Sequence, residues 1–179
     1  LRSEVIPAIG CTEPIAVALC VARAKELLGT EPDEIDVYLS KNVYKNALAV
    51  GIPNTGMTGL PIAIALGATV GKSEYMLEVL RDATPEAVAY AKEYMLRVPT
   101  RLHINYEAPS ILYIHAEVRK CGQIAQATII DEHTNFVEDV PSTASAFQQK
   151  HTDDNSLSMR RVYDFAMEIE TREINFLRA

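Results

Sequence analysis

A chain of 179 residues that is 48% apolar can bury one real core, with room for two small lobes. Its formal net charge of −7 and the absence of a basic stripe exclude the usual footprint of a nucleic-acid binder, and no apolar run approaches the roughly 20 residues that span a bilayer. The cysteines, Cys11, Cys20 and Cys121, are unevenly spaced, and with no secretory signal pattern in view they point to a reducing, cytoplasmic compartment rather than a disulfide scaffold.

The opening "LRSEVI" lacks a methionine and reads as the tail of a helix. In "IPAIGCTEPIAVAL" (6–19), Thr12 suits a helix N-cap, because its hydroxyl can accept from a free backbone N–H of the first turn. Glu13 suits the positive helix end, and Pro14 is tolerated in a first turn. The run "PIAVALCVARAKELLG" is apolar almost all round until Arg23, which predicts a buried helix stopped at Gly29. "EIDVYLS" (34–40) alternates Ile35, Val37 and Leu39 with Asp36, Tyr38 and Ser40, the pattern of a half-buried strand. A short helix over "KNVYKNALAV", a glycine-rich loop "GIPNTGMTGLP" (51–61) and a second apolar helix over "LPIAIALGATVG", with Pro61 near its start, come next. "SEYMLEVL" and "TPEAVAYAKEYML" predict two further helices capped by Ser73 and Thr84.

The second half changes character. "RLHINYE" (101–107), "ILYIHAEVR" (111–119), "QIAQATII" (123–130) and "NFVEDV" (135–140) predict strands, and the short links between them favour an antiparallel meander. The fold class expected is α+β, an antiparallel sheet with hydrophobic helices packed on one face. Residues 1–141 would form this domain, 142–156 a polar loop or linker, and 157–179 a helix leading into a further helical domain. Both ends read as cut, which predicts a piece of a longer protein.

Several segments invite a functional reading. "GATVGKS" (67–73) resembles a phosphate-binding loop but has three residues, not four, ahead of its Gly-Lys pair and follows a helix, so it reads as one helix stop and the next helix cap. In "NTGMTG" (54–59), Asn54, Thr55 and Gly56 sit in a turn whose free N–H groups, ahead of the helix at Pro61, could hold a carboxylate; an ordinary tight turn has the same composition. His133, with Thr134 and Asn135, lies at a strand end and fits either an acid–base or substrate contact or a plain hydrogen-bonded turn. Cys20 reads as a small buried hydrophobe and Cys121 as an incidental turn residue; Cys11 and Cys20 are too far round one helix to share an ion, and no metal motif is visible. Cys11 stands just ahead of a helix N-terminus, which favours a thiolate and a lowered pKa, with Glu13 opposing it; a merely structural thiol is the alternative.

Four blocks in order, "VIPAIGCTEPIAVAL", "KNALAVGIPNTGMTGLPIAIALG", "LEVLRDAT" and "EHTNFV", resemble the L-cysteine desulfidase family, grouped with the serine-dehydratase-like UPF0597 proteins. The resemblance runs along essentially the whole chain. It implies the N-terminal portion of a lyase that needs no pyridoxal phosphate and eliminates sulfide from L-cysteine, leaving ammonia and pyruvate. L-serine deamination on the same scaffold, or a binding module without catalysis, are the alternatives. It also implies a [4Fe–4S] cluster in the longer protein, with ligands in a helical half beyond this chain, no cluster or other metal held by the chain alone, and no lyase activity of the chain alone. Cys11 matches the cysteine that the resemblance offers as the acceptor of the substrate α-proton, with cluster ligation the other role open to it. Thr12 and Glu13 beside it, Asn54 to Gly56, Lys45, Asn46 and His133 to Asn135 are the expected substrate contacts. The partners expected are a small amino acid and, in a homo-oligomer, a second copy, with neither nucleic acid nor membrane.

Overall fold

The computed structural model describes residues 11–53 and 55–137. The linker and last helix expected over 142–179 lie outside the described residues, as does the second half of the strand expected over 135–140.

Helix α1 (Thr12–Leu28) is the centre of the molecule, with every residue from Pro14 to Ala22 buried. It ends as expected at Gly29, whose left-handed backbone (φ +77°) lets its N–H close onto the carbonyls of Lys25 and Glu26. Strand β1 (Glu34–Ser40) follows, then α2 (Lys41–Ala47), a small hairpin of β2 (Gly51–Ile52) and β3 (Met57–Thr58), and α3 (Leu60–Thr69). The segment Ser73–Glu78 forms a tight 3₁₀ turn, and α4 (Pro85–Arg97) is capped by Thr84, whose hydroxyl accepts from the Ala87 N–H at 3.3 Å. Strands β4 (Thr100–Asn105), β5 (Tyr113–Lys120), β6 (Gln123–Ile130) and β7 (Phe136–Val137) complete the described chain.

The α+β class holds, but the sheet is mixed rather than antiparallel. Its order is β4-β1-β5-β6-β7, and β1 runs parallel to β4 and antiparallel to β5. Only β5, β6 and β7 form the expected meander. The strand read from 34–40 inserts between β4 and β5, which are neighbours in sequence but not in space. The helical stretch between β1 and β4 supplies the long crossover that a parallel pair requires.

One face of this sheet carries Ile35, Val37, Leu39, Ile114, Ala116, Val118, Ala127 and Ile129, all buried; α1 packs against β5 and β6, and α3 packs on α1. The two helices touch at Gly67, where a Cβ would lie 2.5 Å from the Ala18 carbonyl oxygen; any side chain there would force them apart. The outer face holds charge instead. Asp36, its side chain only 4% exposed, accepts from Arg101 at 2.7 and 2.8 Å and from Arg119 at 2.6 Å, and lies 2.7 Å from His103 Nε2. Glu34 and Glu117 extend the network to the same arginines. Burial opposes ionisation of Asp36, but these hydrogen bonds outweigh it and hold the carboxyl far below the usual carboxylate range.

Two helix starts differ from expectation. Cys11, not Thr12, is the N-cap residue of α1, and its side chain makes no capping hydrogen bond; the Cys11 and Thr12 side chains both turn to the Glu13 carboxylate. Ser73 caps nothing: its N–H and hydroxyl both go to Glu26 of α1, tying the turn after α3 to the last turn of α1. Among the described residues, no helix is long and apolar enough to cross a membrane.

Candidate active site

The N-terminus of α1, the C-terminal end of β1, the start of β5 and the end of β6 share one edge of the fold. Short connections impose this. The link after Gly29 reverses the chain, and α1 packs over β5 and β6, the strands to one side of β1. Ser40 at the end of β1 donates to the Ile111 carbonyl at 2.6 Å, and the Asp131 N–H reaches the Leu112 carbonyl at 3.0 Å. Ser40 also caps α2, accepting from the Val43 N–H, while Val43 and Ala47 bury the inner side of that helix. The last turn of α2 is thereby delivered to the mouth of α1.

There the side chains meet. Cys11 Sγ donates to Glu13 Oε2 at 3.1 Å, and Thr12 Oγ1 to the same oxygen at 3.3 Å. Asn46 Nδ2, from α2, donates to Glu13 Oε1 at 3.1 Å. Glu13 is thus gripped on both oxygens, in the first helical turn, where a negative charge is stabilised by the helix dipole. Burial would raise Glu13, but the hydrogen bonds from Cys11, its own backbone, Asn46 and Thr12 prevail and lower it. For Cys11 the expected direction is reversed. Partial burial first, then the bond to Glu13 and its negative charge, push the thiol up, and the backbone N–H contacts are too weak to compensate. The opposing effect of Glu13 foreseen in the sequence is present, at 3.1 Å, and adds to the larger effect of burial. The pair therefore holds one proton, on sulfur, with Cys11 open to solvent.

The other expected contacts are distributed as follows. Thr55 is buried and its hydroxyl is committed inside its own turn, donating to the Ile52 carbonyl at 2.7 Å and accepting from the Met57 N–H at 2.9 Å. Gly56 takes φ +64° in the same turn, and Asn54 lies outside the described residues. Lys45 lines a cleft of about 340 Å³ with Lys41, Asn42, Asn105, Tyr106 and Ile111, a feature with no signature in the local sequence. Asn135 shapes the turn after β6, donating to the Ile130 carbonyl at 3.0 Å, next to Thr134. His133 in that turn keeps its Nε2 buried with no hydrogen-bond partner. No hydrogen bond among the described residues joins Thr55, His133 or Asn135 to the Cys11 group.

The cysteines do not converge. Cys20 is in the core, its thiol donating to the Ala127 carbonyl at 3.2 Å, and Cys121 sits in the exposed turn between β5 and β6 with φ +48°. Among the described residues no group of three or more His, Cys, Asp or Glu is placed to hold a metal. This donor set does not fit an iron–sulfur cluster.

No family model matches the chain, and no solved structure matches it. Proteins of known sequence do. A UPF0597 protein of Bacteroides thetaiotaomicron is 48% identical over 99% of this chain, and one of Bacteroides fragilis is 46% identical over 99%. A UPF0597 protein of Aeromonas salmonicida is 35% identical over 100% of it. The chain spans 43% of the length of each of these relatives.

Proposed function

Because the chain belongs to the UPF0597 family along nearly its whole length, we propose that it supplies the proton-accepting half of a cytoplasmic carbon–sulfur lyase active site. The reaction proposed is α,β-elimination of L-cysteine to sulfide, ammonia and pyruvate, with Cys11 taking the α-proton. The observation that carries this reading is the exposed Cys11 thiol hydrogen-bonded to a carboxylate that a second helix holds in place. A thiol that merely fills space is buried among apolar neighbours, as Cys20 is. Thr12, Lys45 and Asn46 stand at or beside the same helix mouth, where a small zwitterionic substrate would find polar partners. The 54–59 turn is proposed to reach the substrate carboxylate through the Gly56 N–H, since the Thr55 hydroxyl and the Thr55, Met57 and Gly59 N–H groups are already engaged. His133, with its unpartnered nitrogen, and its neighbours Thr134 and Asn135 are further polar candidates. The [4Fe–4S] cluster implied by the resemblance would draw its ligands from the rest of the longer protein.

The test uses the full-length protein, prepared without oxygen. Pyruvate formation from L-cysteine should exceed that from L-serine, and Cys11→Ser should lower turnover by at least about 100-fold, the usual worth of a general base. Cluster absorbance should survive that substitution. Its loss would make Cys11 a ligand instead, and undiminished turnover would end the lyase reading of this site. A preference for serine would redirect the reading to deamination on the same scaffold.

A further inference from the structure

Resting on the reading of Cys11 as the acceptor of the substrate proton, we propose that Cys11 and Glu13 act as one acid–base unit, positioned by Asn46, in which Glu13 receives the thiol proton when sulfur takes the proton from substrate. A thiol that already carries its proton accepts no other. At rest the sulfur is the donor in the Cys11–Glu13 bond, so the proton must leave sulfur before sulfur can act. The Glu13 carboxylate oxygen is in position to take it, 3.1 Å away, with Thr12 on the same oxygen. Asn46 reaches across from α2 to the other oxygen and fixes the carboxylate plane. That bond is not needed to seat α2, which is anchored by the Ser40 cap and by Val43 and Ala47 in the core. Of the charged residues on α2, Lys45 and Lys41 line the adjacent cleft; Glu13 is the acidic group in contact with sulfur among the described residues.

The step balances as follows. The thiol proton moves to Glu13 Oε2 while the sulfur lone pair takes the α-proton. The Cα–H electron pair becomes the Cα–Cβ double bond, and the Cβ–sulfur bond breaks with its pair, releasing hydrosulfide and the enamine, which water converts to pyruvate and ammonia. The Glu13 proton is released to solvent, to which Cys11 is open, and the resting pair is restored.

The test is the pH dependence of Cys11 alkylation by iodoacetamide, read on the Cys11 peptide by mass spectrometry in the full-length protein, beside turnover at pH 7. In Glu13→Gln the carboxylate that opposes thiolate formation is gone. The alkylation midpoint should fall by about one pH unit, while turnover falls at least about tenfold. Local loosening would also lower the midpoint by exposing the thiol, so the urea midpoint of Glu13→Gln is read beside it and should match wild type. Asn46→Ala should shift the midpoint in the same direction by less, and it serves if Glu13→Gln does not fold. An unmoved midpoint, or a moved midpoint with unchanged turnover, overturns the shared-proton unit while leaving Cys11 in place as the acceptor. Full turnover in Cys11→Ser overturns both.

Discussion

Two carboxylates in this molecule are held by three side-chain partners each, and they differ in what surrounds them. Asp36, on the outer face of the sheet, is all but sealed and carries a charge that two arginines neutralise, with His103 Nε2 as a third partner, all within 2.8 Å. Glu13, at the mouth of α1, is bound by neutral donors, Cys11, Thr12 and Asn46, on an open rim. The first arrangement traps its charge: no partner can leave without stranding a buried ion. The second leaves the charge a proton to accept, because one of its donors is itself ionisable. Identical side-chain chemistry thus builds a fastener in one place and a reactive pair in the other, and the identity of the donors decides which.

The largest effect should come from breaking the fastener. Asp36→Asn leaves Arg101 and Arg119 facing an amide and should cost about 3 kcal/mol at pH 7, measured by urea unfolding. Both arginines are partly exposed, which keeps the loss at the low end for a buried pair. The pH dependence has a definite sign. The Asp36 carboxyl is depressed in the folded state, so its contribution is complete above the ordinary carboxylate value of about 4 and is lost as pH falls toward the folded value. Wild-type stability should therefore decline below about pH 4, with a slope that Asp36→Asn reduces. A variant with the same acid limb as wild type would show that the arginines hold the sheet without this residue.

Next in size is the contact between the two apolar helices. Gly67→Ala places a methyl group against the Ala18 carbonyl and should cost about 2 kcal/mol through forced separation of α1 and α3. The cost would be smaller if helix propensity, which favours alanine by about 1 kcal/mol, were the stronger influence. Urea midpoints of Gly67→Ala and of Gly56→Ala, an open turn position with φ +64°, separate steric from backbone effects.

How much of this could be read in the sequence follows from what is local. Buried α1 and α3 announce themselves as unbroken apolar runs ended near glycine, and β1, β5 and β6 as alternation. The strand order could not be read, because the insertion of β1 between β4 and β5 pairs residues as distant as Val37 and Ala116. The outer-face network had a signal that went unread: Glu34 and Asp36, Arg101 and His103, Glu117 and Arg119 each recur at every second position. Such alternation acquires meaning only once the register sets Asp36 beside Arg101 on one side and Glu117 on the other. At the site, Cys11, Thr12 and Glu13 were legible as a group because they are adjacent. That Asn46 would complete it was not, since the contact depends on where the Ser40 cap sends α2.

The smallest change in stability should belong to the residue that most sharply separates the two carboxylates. Asn46→Ala removes one neutral donor from the rim, and its unfolding free energy should stay within about 0.5 kcal/mol of wild type, as for surface positions generally. The α2 helix keeps its cap and its buried Val43 and Ala47, so nothing in its seating depends on the amide. Glu13, by contrast, loses the bond that fixes its orientation and one of the contacts that keep it ionised. Stability and proton handling should therefore part company in this variant, with an unchanged urea midpoint and a Cys11 alkylation profile moved toward lower pH. If the urea midpoint falls as far as in Asp36→Asn, then Asn46 is a fastener too, and the contrast between a locked and a poised carboxylate fails at its weakest joint.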